Sequence, residues 1–281
     1  MPEGHVTHRL ARALADAFAG RPVSVSSPQG RFEDAAALLD GTVLTGADSV
    51  GKHLLVDFEP GTVWIHLGLI GKLLFTDAFP APNPATLRLR ITDGVTAADL
   101  RGPQWCRLIT PDERAGVVLS SGPDPIREDA DPERAWTVVH RSRKPFAAVL
   151  MDQKAFAGVG NIFRAEVLYR HGIDPMLPAA QLPRPVFDSV WGDLVTLMRA
   201  AVDVGRIDTV FDQHTPDAMG RDPRVDRHGG EVYVYRRANL PCHVCGTPVA
   251  TSDLAGRNLY WCPVCQPAGS VGRPLPGGAW A

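Results

Sequence analysis

Long apolar runs are missing from this sequence. Nowhere in its 281 residues do about eighteen apolar residues follow one another, the length a helix needs to cross a bilayer. The opening MPEGHVTHRL also lacks the charged stretch followed by an apolar one that directs secretion. The expectation is a soluble, cytoplasmic protein. Cysteine is scarce, with five residues in all, and four of them cluster in two pairs near the C-terminus. Without a secretion signal that pattern favours metal over disulfides and leaves Cys106 as an inert bystander. No serine or cysteine nucleophile motif is present, so a hydrolase reading has nothing to stand on. An excess of positive charge is lacking too. Lys and Arg number 29 against 31 Asp and Glu, a net charge of −2, whereas phosphate binders tend to be basic. That total hides a gradient, because the first 130 residues are net acidic and the remainder net basic. No internal repeat is visible.

What is present is a change of texture along the chain. From Glu3 to Ala19, Val6, Leu10, Ala13, Leu14, Ala17 and Phe18 recur at helical spacing, and Gly20 and Pro22 close the run. Between about 22 and 120, short β-branched and apolar runs such as TVLTGADSV, HLLVDF, TVWIHLGL, KLLFTD and LRLRI alternate with Gly, Pro and Asp, the texture of a β-sandwich or barrel. After the turn-rich SSGPDPIREDADP the pattern is helical from roughly 131 to 203, through PERAWTVVHRS, KPFAAVLMDQ, NIFRAEVLYRHG and LPRPVFDSVWGDLVTLMRAAVDVG. Residues 204–231 read as a long polar surface loop, and VYVYRR reads as a strand leading to the cysteines. The expected fold class is α+β. Its parts are an N-terminal helix and β-sandwich at 1–125, a helical domain at 131–230, a cysteine hairpin at 231–267 and a disordered tail at 268–281.

Three features carry chemistry. The spacing Cys242-x2-Cys245, sixteen residues, Cys262-x2-Cys265 is what two β-knuckles need to place four thiolates tetrahedrally around one Zn²⁺. Four thiolates leave no open position, so this metal is structural and any reaction occurs elsewhere. Within the hairpin, Arg257 falls at the turn, as a solvated arginine or as a guanidinium aimed at a phosphate. In GVGNIFRAE, Gly158 and Gly160 make a tight turn before Asn161, which reads as a helix N-cap. Such a turn either closes an ordinary helical hairpin or presents N–H groups to a phosphate.

The third feature is the terminus. A small second residue normally lets the initiator Met be removed, which would leave Pro2 with a free secondary amine at the start of the first helix. An α-amine has a reference pKa of roughly 8, and the helix dipole biases it toward the neutral, nucleophilic form. Attack on a sugar C1′ would give an iminium, an electron sink that promotes loss of the C2′ hydrogen and then of the phosphates. Glu3 beside it could move the protons. Pro-Glu also suits a helix start for purely structural reasons.

Together these features resemble the formamidopyrimidine-DNA glycosylase and endonuclease VIII family. The resemblance runs in order through PEG at 2–4, GKHLL at 51–55, HLGLIGKL at 66–73, DQKAFAGVGNIFRAE at 152–166, and CHVC with GRNLYWCPVCQ at 242–266. It implies a β-sandwich, a helix-two-turn-helix domain, a zinc finger, and damaged DNA held between domains with the lesion flipped out. It further implies that Pro2 is the Schiff-base nucleophile and Glu3 the general acid/base. Lys52 would contact phosphate near the sugar, and Asn161 with Arg257 would pinch the phosphates flanking the lesion. Leu69 matches the position of the wedge that fills the emptied base site, against a plain reading as a buried strand leucine. The implied activity is that of a monomeric base-excision glycosylase and abasic-site lyase.

Two departures bear on the substrate. Where the formamidopyrimidine branch has an Arg and a Phe that assist insertion, this chain reads Leu100-Arg101-Gly102-Pro103-Gln104, without the aromatic wedge, and Val6 stands where a glutamate is common. With Gly4 after Pro-Glu, these place the chain nearer endonuclease VIII. Oxidised pyrimidines are the expected substrates, with oxidised purines the alternative and tolerance of single-stranded or bubble DNA a corollary. A chain with Pro2 blocked would instead be a non-catalytic lesion binder.

Overall fold

The computed structural model describes residues 2–79, 83–226 and 230–273. The chain divides into two compact units, Met1–Ser121 and Gly122–Ala281. Its α+β class and order of parts follow the sequence reading.

The first unit opens with α1 (Gly4–Phe18), whose Thr7, Ala11, Leu14 and Phe18 form the buried stripe of an amphipathic helix. Among the described residues nine strands follow: β1 (Arg21–Pro22), β2 (Ser24–Ser26), β3 (Val43–Val50), β4 (His53–Phe58), β5 (Gly61–His66), β6 (Lys72–Asp77), β7 (Leu87–Thr92), β8 (Thr96–Arg101) and β9 (Trp105–Ile109). They make two antiparallel sheets, ordered β1-β3-β4-β5-β9 and β2-β7-β8-β6. Leu54, Val56, Val63 and Ile65 from the first sheet pack with Leu73, Leu89, Ile91 and Leu100 from the second and with α1 to form the core.

Two helices interrupt the stretch expected to be all β. They are α2 (Glu33–Leu39) and α3 (Pro111–Ser120). The start of α3 carries a capping box, Thr110 with Glu113, and Pro111 at the first turn, a signature present in the sequence and overridden there by its β-rich surroundings.

The second unit contains α4 (Pro132–Val139), α5 (Phe146–Val149), α6 (Asn161–Arg170), α7 (Arg184–Val204), α8 (Pro216–Met219) and a hairpin of β10 (Ala250–Leu254) and β11 (Arg257–Trp261). The KPFAAVLMDQ helix shrinks to the single turn of α5. Residues Asn161 to Tyr169 of α6 are all buried, so this helix is the axis of the unit. Phe163 of this helix packs with Phe146, Phe156, Phe187 and Tyr233, and with Leu259 of β11 and the flanking Val249 and Cys262, in one core.

VYVYRR is not a strand. Instead of pairing along an edge, the N–H groups of Tyr233, Val234 and Tyr235 all donate to the carboxylate of Glu166, at 2.6, 2.9 and 2.8 Å, and the Thr209 hydroxyl donates to it at 2.6 Å. A fully buried carboxylate needs such donors, and it wraps the backbone around itself. The expected disordered tail is ordered at its start: Asp174 N–H donates to the Ser270 carbonyl at 3.0 Å, and Arg273 N–H to that of His171 at 2.9 Å. Residues 274–281 of that expectation lie outside the described residues.

Candidate active site and zinc centre

In the first unit the site gathers at the head of α1. Glu3 is the N-cap residue of that helix, in extended conformation and only 1% exposed, with Pro2 half-buried before it. The Thr7 hydroxyl, one turn on, lies 2.9 Å from the Gly4 carbonyl and 2.8 Å from that of Gly51, to which it donates. Gly51 and Lys52 form the two-residue turn between β3 and β4, where Val50 faces His53. Gly51, at φ +59, is the first central residue of this turn and takes the left-handed conformation it requires. One buried hydroxyl thus fixes the turn that carries Lys52 against the first turn of α1. Sequence reasoning placed Pro2, Glu3 and Lys52 individually and missed Thr7, whose polar side chain on an apolar helix stripe was the available signal.

Beside Lys52 the ends of three strands bring His53, His66 and Trp105 into register, with Trp64 alongside. The His66 ring stacks on Trp105 at 4.4 Å, and the Trp64 indole N–H donates to His53 Nδ1 at 3.1 Å. Burial, then the neighbouring His66 and Lys52, lowers the His53 pKa to about 4. Burial and Lys52 lower that of His66. Both rings are therefore neutral beside the lysine at neutral pH. Gly68 N–H donates to His66 Nδ1 at 3.1 Å and so anchors the turn between β5 and β6.

Leu69 rides on that turn and is 64% exposed, and its neighbour Ile70, which sequence reasoning passed over, is 78% exposed. The reading of Leu69 as a buried strand residue is thereby corrected. Gly71 closes the turn, where an added Cβ would stand 2.2 Å from the Leu67 carbonyl oxygen. The turn holds two large apolar side chains in solvent on a rigid base.

In the second unit the site is built on α6 and the hairpin. Asn161 is the first residue of α6 and not its N-cap, which is Gly160 in extended conformation. Gly158 makes the preceding left-handed turn, and the Gln153 side chain clasps it by accepting from Gly158 N–H at 3.1 Å and donating to the Val159 carbonyl at 2.9 Å. The Asn161 side chain donates to the Asn258 carbonyl at 3.0 Å, and Arg164 donates to the same oxygen at 2.9 Å and to Asn161 Oδ1. Arg257, adjacent to Asn258, opens β11 directly after the Ala255-Gly256 turn and is half-buried. The Asn258 carbonyl, one residue along from Arg257, thus ties the head of α6 to β11 through Asn161 and Arg164.

Cys242, Cys245, Cys262 and Cys265 bring their sulfurs within 4.8 Å of one another. Val244 N–H points at Cys242 Sγ and Cys265 N–H at Cys262 Sγ, each at 3.5 Å, which is how knuckle amides support thiolates. Hydrogen bonding from Cys265, and then from Tyr169, pulls the Cys242 thiol down to about 4, while burial pushes Cys262 up to about 11. Four sulfurs this close cannot all ionise without a cation among them, and the residues present fit one structural Zn²⁺ held with no open position. Among the described residues no helix is long and apolar enough to cross a membrane.

Family models agree with this layout. The formamidopyrimidine-DNA glycosylase N-terminal domain matches residues 1–104, the formamidopyrimidine-DNA glycosylase H2TH domain 121–212, and the zinc finger found in FPG and IleRS 239–268. "Endonuclease 8 1" of Mycobacterium tuberculosis is 48% identical over 276 residues, covering 95% of this chain and all of that protein. A formamidopyrimidine-DNA glycosylase of Methylococcus capsulatus is 30% identical over 277 residues, covering 95% of this chain and all of its own. The fold matches that of Lactococcus lactis Fpg, solved in complex with DNA containing an abasic site, with a TM-score of 0.77 at 23% identity over 94% of this chain and 99% of that one. With its sandwich, its helical unit and its four-cysteine hairpin all accounted for, the chain belongs to the formamidopyrimidine-DNA glycosylase and endonuclease VIII family of DNA glycosylase/lyases, in its endonuclease VIII branch.

Proposed function

We propose that this protein excises oxidised bases from DNA, pyrimidines in preference, through the secondary amine of Pro2, and then cleaves the strand by β,δ-elimination. The observation that carries the reading is the arrangement at the head of α1: a half-buried proline, a buried carboxylate at the N-cap, and a lysine turn tied to the same terminus by Thr7. Removal of Met1 frees the amine.

The neutral nitrogen forms a bond to C1′ of an extruded nucleotide, and the glycosidic electron pair leaves with the base. The nitrogen, cationic once bonded to C1′, gives its proton to the Glu3 carboxylate, which delivers it to the ring oxygen as the C1′–O4′ bond breaks; the freed nitrogen lone pair completes an iminium, and the departed base takes a proton from solvent. The C2′ proton is then lost and its electron pair flows into the iminium. Expulsion of the 3′ phosphate follows, then that of the 5′ phosphate. Lys52 neutralises the phosphate next to the sugar. Asn161 and Arg257 grip the phosphates flanking the lesion, contacts that carry no sequence information. The bound zinc supplies rigidity to the hairpin and takes no part in these steps.

Leu69, with Ile70 beside it, fills the space left by the flipped base. Residues 100–104, the end of β8 and the turn into β9 rather than a loop throughout, offer no aromatic partner for this insertion, which supports pyrimidine lesions and tolerance of single-stranded or bubble DNA. The protein acts as a monomer in the cytoplasm. The test is cleavage of matched oligonucleotides carrying one oxidised pyrimidine or one oxidised purine, in duplex and in single strand. Faster purine excision would overturn the substrate reading. Faster cleavage of duplex than of single strand would remove the corollary.

A further inference from the structure

We infer that the hydroxyl of Tyr169 donates a hydrogen bond to the zinc-bound thiolates and is the positioning residue that fixes the metal hairpin on α6. Tyr169 is fully buried near the end of α6, and its hydroxyl oxygen lies 2.9 Å from Cys242 Sγ and 3.8 Å from Cys265 Sγ. Once these cysteines are thiolates on a metal they have no proton to give, so the hydroxyl must be the donor. The two sulfurs come from different knuckles, and a single phenol spans both. A buried hydroxyl with no acceptor is costly, and the thiolates supply one.

The consequence reaches the DNA-binding side of the same unit. At the other end of α6, Asn161 and Arg164 hold the Asn258 carbonyl, next to Arg257. Eight residues of helix, about 12 Å, separate that contact from Tyr169. The hairpin is therefore pinned to α6 at two points, one through backbone and one through metal ligands, and the placement of the strand that carries Arg257 depends on both. Donors to metal ligands of this kind tune affinity and hold the ligands in place. The ring itself stacks on Tyr233 with centroids 4.6 Å apart, a contact that phenylalanine keeps.

The inference rests on the four cysteines holding zinc, so the experiment measures zinc content first. Full-length zinc-loaded protein and its Tyr169→Phe variant are compared for zinc per chain, for the rate of zinc transfer to a chromogenic chelator, and, after cobalt substitution, for the thiolate-to-metal charge-transfer band. Both should carry one zinc. Transfer from Tyr169→Phe should be at least about tenfold faster, and its band should move to longer wavelength as the thiolates lose a donor. Tyr233→Phe serves as control, because its hydroxyl meets Phe211 N–H at 2.9 Å and His214 Nδ1 at 2.8 Å. It should release zinc at the unaltered rate. An unshifted band with unchanged release in Tyr169→Phe, or equal acceleration in Tyr233→Phe, would overturn the inference alone. Intact protein without zinc would overturn the metal assignment and the inference with it.

Discussion

Thr7 joins two pieces of chain that lie 44 residues apart in sequence, and it does so with one hydroxyl proton. Thr7→Val keeps the shape and removes that bond, worth about 1 kcal/mol. Turnover of abasic-site DNA should fall roughly fivefold while the melting temperature shifts little, measured by steady-state strand cleavage and by thermal unfolding. His53 gives a second prediction. Its pKa sits at about 4 in the fold against an ordinary 6.5, so below pH 6.5 the unfolded chain binds a proton that the folded chain refuses. The stabilisation from the neutral ring is complete above pH 6.5 and is lost as pH falls toward 4. His53→Gln should therefore flatten the decline of the urea midpoint between those values relative to the unaltered protein. Parallel curves for the two would show that His53 is not the group responsible.

Elements were legible where one physical cue dominated. α1 announced itself by its apolar period, and the strands of both sheets by their β-branched runs. VYVYRR failed because its alternation mimics an edge strand, while the partner that organises it, Glu166, lies 67 to 69 residues away. Nothing local encodes a carboxylate that collects three backbone amides. Glu166→Ala should be destabilising by roughly 3 kcal/mol or more, since it orphans those amides in the core, and a guanidinium titration will show it. At the candidate site, spacing alone pointed to the four cysteines, whereas Pro2, Glu3 and Lys52 were singled out by the family resemblance of the motifs that hold them. Ile70 beside Leu69 was hidden because a pattern of apolar residues does not say which face water. Leu69→Ala combined with Ile70→Ala should lower kcat/KM on duplex DNA about tenfold or more and on single-stranded DNA far less, because only the duplex needs its emptied stack refilled.

At the scale of the whole molecule, the proposed chemistry and the cysteine cluster belong to different units of one chain, and a near-neutral net charge of −2 does not reveal the DNA partner. The zinc hairpin shares its core with α6, so stripping the metal with chelator should lower the melting transition of that unit by at least about 10 °C. The central claim concerns the other unit. Incubation of the mature protein with an oligonucleotide bearing one abasic site, in the presence of borohydride, reduces the iminium to a stable amine and leaves protein joined to DNA. Intact protein should give this adduct with the crosslink mapped to Pro2. Glu3→Gln should reduce the adduct, and Pro2→Gly should nearly abolish it. An undiminished adduct from Pro2→Gly, or a crosslink mapped to Lys52, would contradict the account.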